Sequence, residues 1–114
     1  MQKGVTSMNT RIETGWLYDF YGPLLSPRQN EMMKMWCEDD MSLSEIAEET
    51  GVSRQAVSTM LHAAQRHLAE YEKKLGLLAR HRHLTEGLEK CLVLVRTDPA
   101  MAERKINELL NEEE

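Results

Sequence analysis

The 114-residue sequence predicts an all-α fold, a helix-turn-helix domain of about four helices with a helical extension, and three observations carry that prediction. β-branched residues are sparse and no run alternates apolar with polar residues at a period of two, so nothing reads as a strand. Apolar residues recur instead at three- and four-residue spacing, set among Ala, Leu, Glu, Met, Gln, Lys and Arg, the strong helix formers. The third observation is the stretch from Ser42 to Leu61, Ser-Leu-Ser-Glu-Ile-Ala-Glu-Glu-Thr-Gly-Val-Ser-Arg-Gln-Ala-Val-Ser-Thr-Met-Leu, in which two helix starts flank a glycine. The expected organisation is a frayed N-terminus over residues 1–9, the helix-turn-helix domain over 10–75 and the extension over 76–114.

From Thr10 to Tyr21 the residues Ile12, Trp16, Leu17, Phe20 and Tyr21 fall on one helical stripe, and Gly22-Pro23 stops the helix. This aromatic stripe is read as a plug for the helical core rather than a stacking platform for bases. Ser26 then caps a second helix from Pro27 to about Glu38, with Pro27 in the first turn and Gln29 completing a reciprocal box. Met32, Met35 and Trp36 form its apolar stripe. Glu38-Asp39-Asp40 reads as a solvated turn, because no loop spacing follows that would supply the oxygen ligands of a divalent ion.

Ser42 and Glu45 form the capping box of a third helix, which Gly51 ends in the left-handed conformation. Ser53 caps a fourth helix from Arg54 to Leu75, about six turns long. Ala56, Val57, Met60, Leu61, Ala64, Leu68, Tyr71 and Leu75 mark its buried stripe, with small Ala47 where the two helices cross. Past Gly76, Leu77 to about Thr97 carries Leu77, Leu78, Leu84, Leu88, Leu92 and Val95 on one side, and Asp98-Pro99 opens a last helix with Met101, Ile106, Leu109 and Leu110. These two helices hold more apolar surface than the domain needs to cover. Either these helices fold back on the first domain, or they pair with a second copy of the chain, the expected partner, in a homodimer that sets two reading helices about 34 Å apart, one turn of DNA.

No apolar run approaches the ~20 residues of a membrane helix, and the N-terminus lacks the layout of a signal peptide, so the sequence predicts a cytoplasmic protein with no membrane contact. Cys37 and Cys91 read as reduced thiols in helix interiors. His81 and His83 are two residues apart, about 200° around a helix, and cannot share one ion. With no phosphate loop, nucleophile elbow or Cys-x-x-Cys pair, no metal, no cofactor and no enzymatic activity are expected.

The net charge of -5 opposes contact with phosphates in general, but its distribution is uneven. Residues 10–52 hold three basic against nine acidic residues, and residues 83–114 four against eight; residues 53–82 hold six basic against two acidic, with His62, His67 and His81 besides. The fourth helix therefore begins the one strongly positive segment, which permits DNA as a partner. The residues expected at DNA are Ser53, Arg54, Gln55, Ser58, Thr59, His62 and Arg66, with Lys73, Lys74, Arg80 and Arg82 for backbone or RNA contact.

The stretches Leu17-Tyr18-Asp19-Phe20-Tyr21, Leu24-Leu25 with Gln29, Ser42 to Glu49, Gly51 to Val57 and Tyr71-Glu72-Lys73-Lys74-Leu75 resemble the YlxM family of bacterial helix-turn-helix proteins, themselves similar to region 4 of sigma factors. The resemblance covers about Leu17 to Leu78. It implies a cytoplasmic, all-helical protein with a role in, or regulation of, the signal recognition particle pathway, whose protein or RNA becomes a second expected partner. The sequence departs from the family pattern after Ala56-Val57, with Ser58, Thr59, Met60 and then His62-Ala63-Ala64-Gln65-Arg66 where relatives tend to carry Tyr, Asp or Asn and a Lys-Arg pair.

Overall fold

A computed structural model describes residues 7–112. Six helices follow one another: α1 (Ser7–Tyr21), α2 (Pro27–Cys37), α3 (Leu43–Thr50), α4 (Arg54–Leu75), α5 (Leu77–Thr97) and α6 (Pro99–Glu112), with a short 3-10 turn at Gly22–Leu24. Among the described residues there is no strand, and no helix is long and apolar enough to cross a membrane. Of the stretch expected to fray, residues 1–6 lie outside the described residues, whereas Ser7 to Asn9 form the first turn of α1. The chain forms two compact units, the first ending at Gly76 and the second beginning at Leu77.

In the first unit α4 packs against α1, α2 and α3. Tyr21, Met32, Met33, Ile46, Val57 and Leu68 are fully buried, with Leu61, Ala64, Tyr18 and Leu25 around them. Polar atoms that enter this core are satisfied. Tyr18 Oη donates to Asn30 Oδ1 at 2.7 Å, Asn30 Nδ2 donates to Gly22 O at 2.8 Å, and Tyr21 Oη donates to Glu72 Oε1 at 2.5 Å. These bonds tie the end of α1 to α2 and α4, and Tyr71 Oη adds a bond to Leu24 O at 3.2 Å.

Several sequence expectations change here. The α1 stripe is only partly a core plug: Ile12 is 54 % and Trp16 44 % exposed, while Thr14, Tyr18 and Tyr21 turn inward. In α2 the buried pair is Met32 and Met33, with Met35 and Trp36 half-buried, because that helix meets α4 on one side and α1 and α3 on others. Ser26 accepts from Gln29 N at 3.2 Å, but the reciprocal bond of a box is not made; the Gln29 side chain lies instead 3.4 Å from His67 Nδ1. The turn at residues 38–40 is more than solvated, since Asp40, in the left-handed region at φ 56, pairs with Arg11, and Asp39 lies 3.7 Å from Lys34. Arg11 also stacks over the Trp36 ring at 4.8 Å. Leu75, placed on the buried stripe of α4, is exposed, being at the last position before Gly76.

In the second unit α5 and α6 form a helical hairpin. Asp98 Oδ1 accepts from Met101 N at 3.2 Å and opens α6. The second unit uses the predicted leucine stripe only in part, with Leu78 buried and Leu84 half-buried. The other buried residues are Gly87, Cys91, Ala102 and Leu109, whereas Leu88, Leu92 and Val95 remain exposed. A β-carbon on Gly87 would stand 2.8 Å from Leu109 Cδ2, so the absence of a side chain there is what lets Leu109 sit against α5. His83 Nε2 and Glu112 Oε1 meet at 2.7 Å across the open end of the hairpin.

Candidate nucleic-acid interface

The turn between α3 and α4 is built by three polar side chains and one glycine. Ser42 Oγ accepts from Glu45 N at 3.1 Å while Glu45 Oε1 accepts from Ser42 N at 2.8 Å, closing the capping box that starts α3. Gly51, at φ +77, ends that helix in a conformation that costs a residue with a β-carbon about 1–2 kcal/mol. Its N–H bonds back to Ala47 O at 2.9 Å. Two residues later Ser53 Oγ accepts from Ala56 N at 3.0 Å, and Ser53 O accepts from Val57 N. The N–H groups of Arg54 and Gln55 stand ahead of these at the exposed front of α4.

Arg54 and Gln55 are exposed, as are Thr59, His62 and Arg66; Ser58 is half-buried. At about 100° per residue, Arg54, Ser58, His62, Gln55, Arg66 and Thr59 fall within an arc of about 140°. The buried residues Val57, Leu61, Ala64 and Leu68 occupy the other side of α4. His62 does not project freely, because its Nδ1 lies 2.8 Å from Ser58 O and holds the ring along the helix. Lys73 and Lys74 are exposed in the last turn of α4, and Arg80 and Arg82 are exposed in α5 of the second unit.

The electrostatics of this surface are divided. Between Arg54 and Arg66 α4 carries no acid, but α3 brings Glu45 and Glu48 to the same shallow groove as Arg54, beside Ala47 and Val52. Charge summed by segment along the sequence does not show this flank, which the crossing of α3 over α4 creates. The spacing of Glu45 and Glu48 around α3 was the available signal. Elsewhere in the first unit, burial pushes the Cys37 thiol up to about 11, helped by the Asp19 and Glu38 carboxylates and opposed by Arg11. Burial likewise raises the Tyr18 phenol, with Glu38 adding to it. Among the described residues no group of three or more His, Cys, Asp or Glu side chains is placed to hold a metal ion.

The family model described as "Putative helix-turn-helix protein, YlxM / p13 like" matches residues 8–109. A UPF0122 protein of Symbiobacterium thermophilum is 42 % identical over 91 residues, covering 79 % of this chain and 85 % of that relative. Relatives from Geobacillus kaustophilus, 44 % identical over 79 residues, and Lacticaseibacillus casei, 42 % identical over 81, each cover about seven-tenths of both chains. The chain belongs to this YlxM / p13-like family of helix-turn-helix proteins, UPF0122.

Proposed function

We propose that this chain is a sequence-specific DNA-binding regulatory protein of the cytoplasm, acting by recognition and not by catalysis. The observation that carries the reading is the exposed front of α4, where Arg54 and Gln55 stand clear of the core that holds the helix. Dimensions divide the labour along α4. Arg54 to Arg66 spans about 18 Å, more than the ~12 Å width of a major groove, so the first turns read bases while Arg66 reaches the sugar-phosphate edge. In this reading Arg54 addresses guanine, Gln55 addresses adenine, Ser58 and Thr59 add short contacts, and Ser53 with the helix N-terminus holds a phosphate. His62 flanks the same edge. Lys73 lies about 28 Å from Arg54 along the axis, which leaves Lys73 and Lys74 to flanking backbone at most. Two copies would present two such helices to a two-fold-symmetric site.

Selection of duplexes from a random pool by the purified chain tests this reading. The expected result is a recurring motif whose enrichment weakens at one position on Arg54→Ala and at a neighbouring one on Gln55→Ala. A pool that stays random for the parent chain would sink it.

A second reading follows from the family resemblance and is favoured by the exposure of Arg80 and Arg82 beside an apolar hairpin. It makes the chain an accessory of the signal recognition particle, contacting its protein or its RNA through Lys73, Lys74, Arg80 and Arg82. Under it, Arg80→Ala with Arg82→Ala abolishes capture of the purified particle while Arg54→Ala leaves it intact; the reverse pattern would remove it.

A further inference from the structure

We infer that Glu48 is a specificity-determining residue of the DNA-binding surface, a carboxylate that keeps Arg54 off phosphates and leaves it for base edges. The inference rests on the DNA-binding proposal and deepens it. Glu48 and Arg54 stand on different helices, α3 and α4, yet line the same shallow groove with Glu45, Ala47 and Val52. The two acids there are not equivalent. Glu45 Oε1 already accepts from Ser42 N at 2.8 Å and is held by the capping box. Glu48 is exposed, and among the described residues its carboxylate makes no hydrogen bond or ion pair. The Arg54 guanidinium is likewise exposed and, among the same residues, unpaired.

Two targets compete for Arg54 on a duplex. A phosphate attracts it by charge, over a range of about 8 Å at physiological salt, whereas a guanine edge holds it by short, directional hydrogen bonds. A fixed negative charge in the same groove opposes the first, because it repels the incoming phosphate and offsets the positive field that draws it. The second is left nearly intact, since O6 and N7 of guanine are dipolar acceptors without a net charge. Non-specific binding is essentially all phosphate neutralisation, so the loss falls on wrong sequences more than on the right one. Ser53, the residue proposed to meet a phosphate, does not line this groove. Between Arg54 and Arg66 α4 carries no acid of its own, so the restraint on Arg54 comes from α3. A carboxylate near the front of α4 also favours that helix through its dipole, a role that alters stability and not discrimination.

A double-mutant cycle on the full chain tests it, with a duplex taken from the selection and its scrambled counterpart titrated across a range of salt. Glu48→Gln is expected to tighten binding to the scrambled duplex about fivefold and to steepen the slope of log K against log salt by about 0.9, the value of one further phosphate neutralised. Binding to the selected duplex changes less than about twofold, so discrimination falls. In an Arg54→Ala background the same substitution leaves both duplexes unchanged, because the cation it restrains is gone. Urea unfolding of each variant reads stability separately. A shifted midpoint with discrimination unchanged makes Glu48 structural only and overturns the proposal. So does an equal gain on both duplexes, or a gain that survives Arg54→Ala, since either is the effect of net charge alone. A parent chain that prefers neither duplex removes the DNA-binding proposal and this one with it, whereas failure of this one alone leaves the parent's preference standing.

Discussion

The first unit and the second bury their helices in opposite ways. In the first, α4 is covered by three helices, and the space between them is filled with large side chains, Tyr21, Met32, Met33, Ile46 and Leu68. In the second, α5 meets one helix with Gly87 and Cys91 set against Ala102 and Leu109, and Leu88, Leu92, Val93 and Val95 are exposed. A closed core of the first kind holds a rigid surface at fixed geometry, which is what a helix that reads bases requires. An open layer of the second kind leaves its larger apolar side chains in solvent. The same helical periodicity therefore serves two ends, and what separates them is the number of neighbours available to each apolar stripe.

The comparison can be broken at its strongest point first. Ile46→Ala empties space where α3 meets the core and is expected to cost about 2–5 kcal/mol in urea unfolding of the first unit. A loss below about 1 kcal/mol would mean that this core is not closed. Gly87→Val pushes a branched side chain into Leu109 and is expected to cost about 1–3 kcal/mol. Hydrogen exchange should rise across residues 77–112 and stay unchanged in α4; a change that appears first in α4 would contradict the division into two units.

Gly51→Ala sharpens the contrast at the turn. It is expected to lower stability by about 1–2 kcal/mol, through φ alone, since an added β-carbon there meets nothing. A gain in stability would mean the turn relaxes into another conformation. The smallest effect is at Cys37, whose thiol holds its proton more tightly folded than the ordinary value of 9.0 allows. Its contribution to stability is fully present below pH 9 and is lost as the pH rises through about 11. The unfolding midpoint of the parent should therefore fall between pH 9 and 11 more than that of Cys37→Val, and equal slopes would show the burial to be without consequence.

Much of the first unit was legible from residues that act locally. Ser42 with Glu45, Gly51 and Ser53 each satisfy backbone groups within three or four positions, so their roles follow from spacing alone. The exposed front of α4 was legible for the same reason. What sequence left hidden depended on neighbours far along the chain. Nothing in the order of residues says that Met33 joins Met32 in the core, or that Trp16 stays at the surface. In α5 the pattern of leucines pointed to a buried stripe, yet Gly87 and Cys91 take the seam, because close approach of two helices favours small residues over large ones. The acidic flank of Arg54 was hidden likewise, since only the crossing of α3 and α4 brings Glu45 and Glu48 beside it.

The central claim is that α4 reads bases with its first turns. A fluorescence anisotropy titration at fixed salt, comparing a selected duplex with its scrambled counterpart, tests it most directly. The parent chain should prefer the selected duplex, and Arg54→Ala should lose about 1–3 kcal/mol on it, roughly 5- to 150-fold, with little change on the scrambled one. Equal affinity of the parent for both duplexes, unaltered by removing Arg54, would contradict the account.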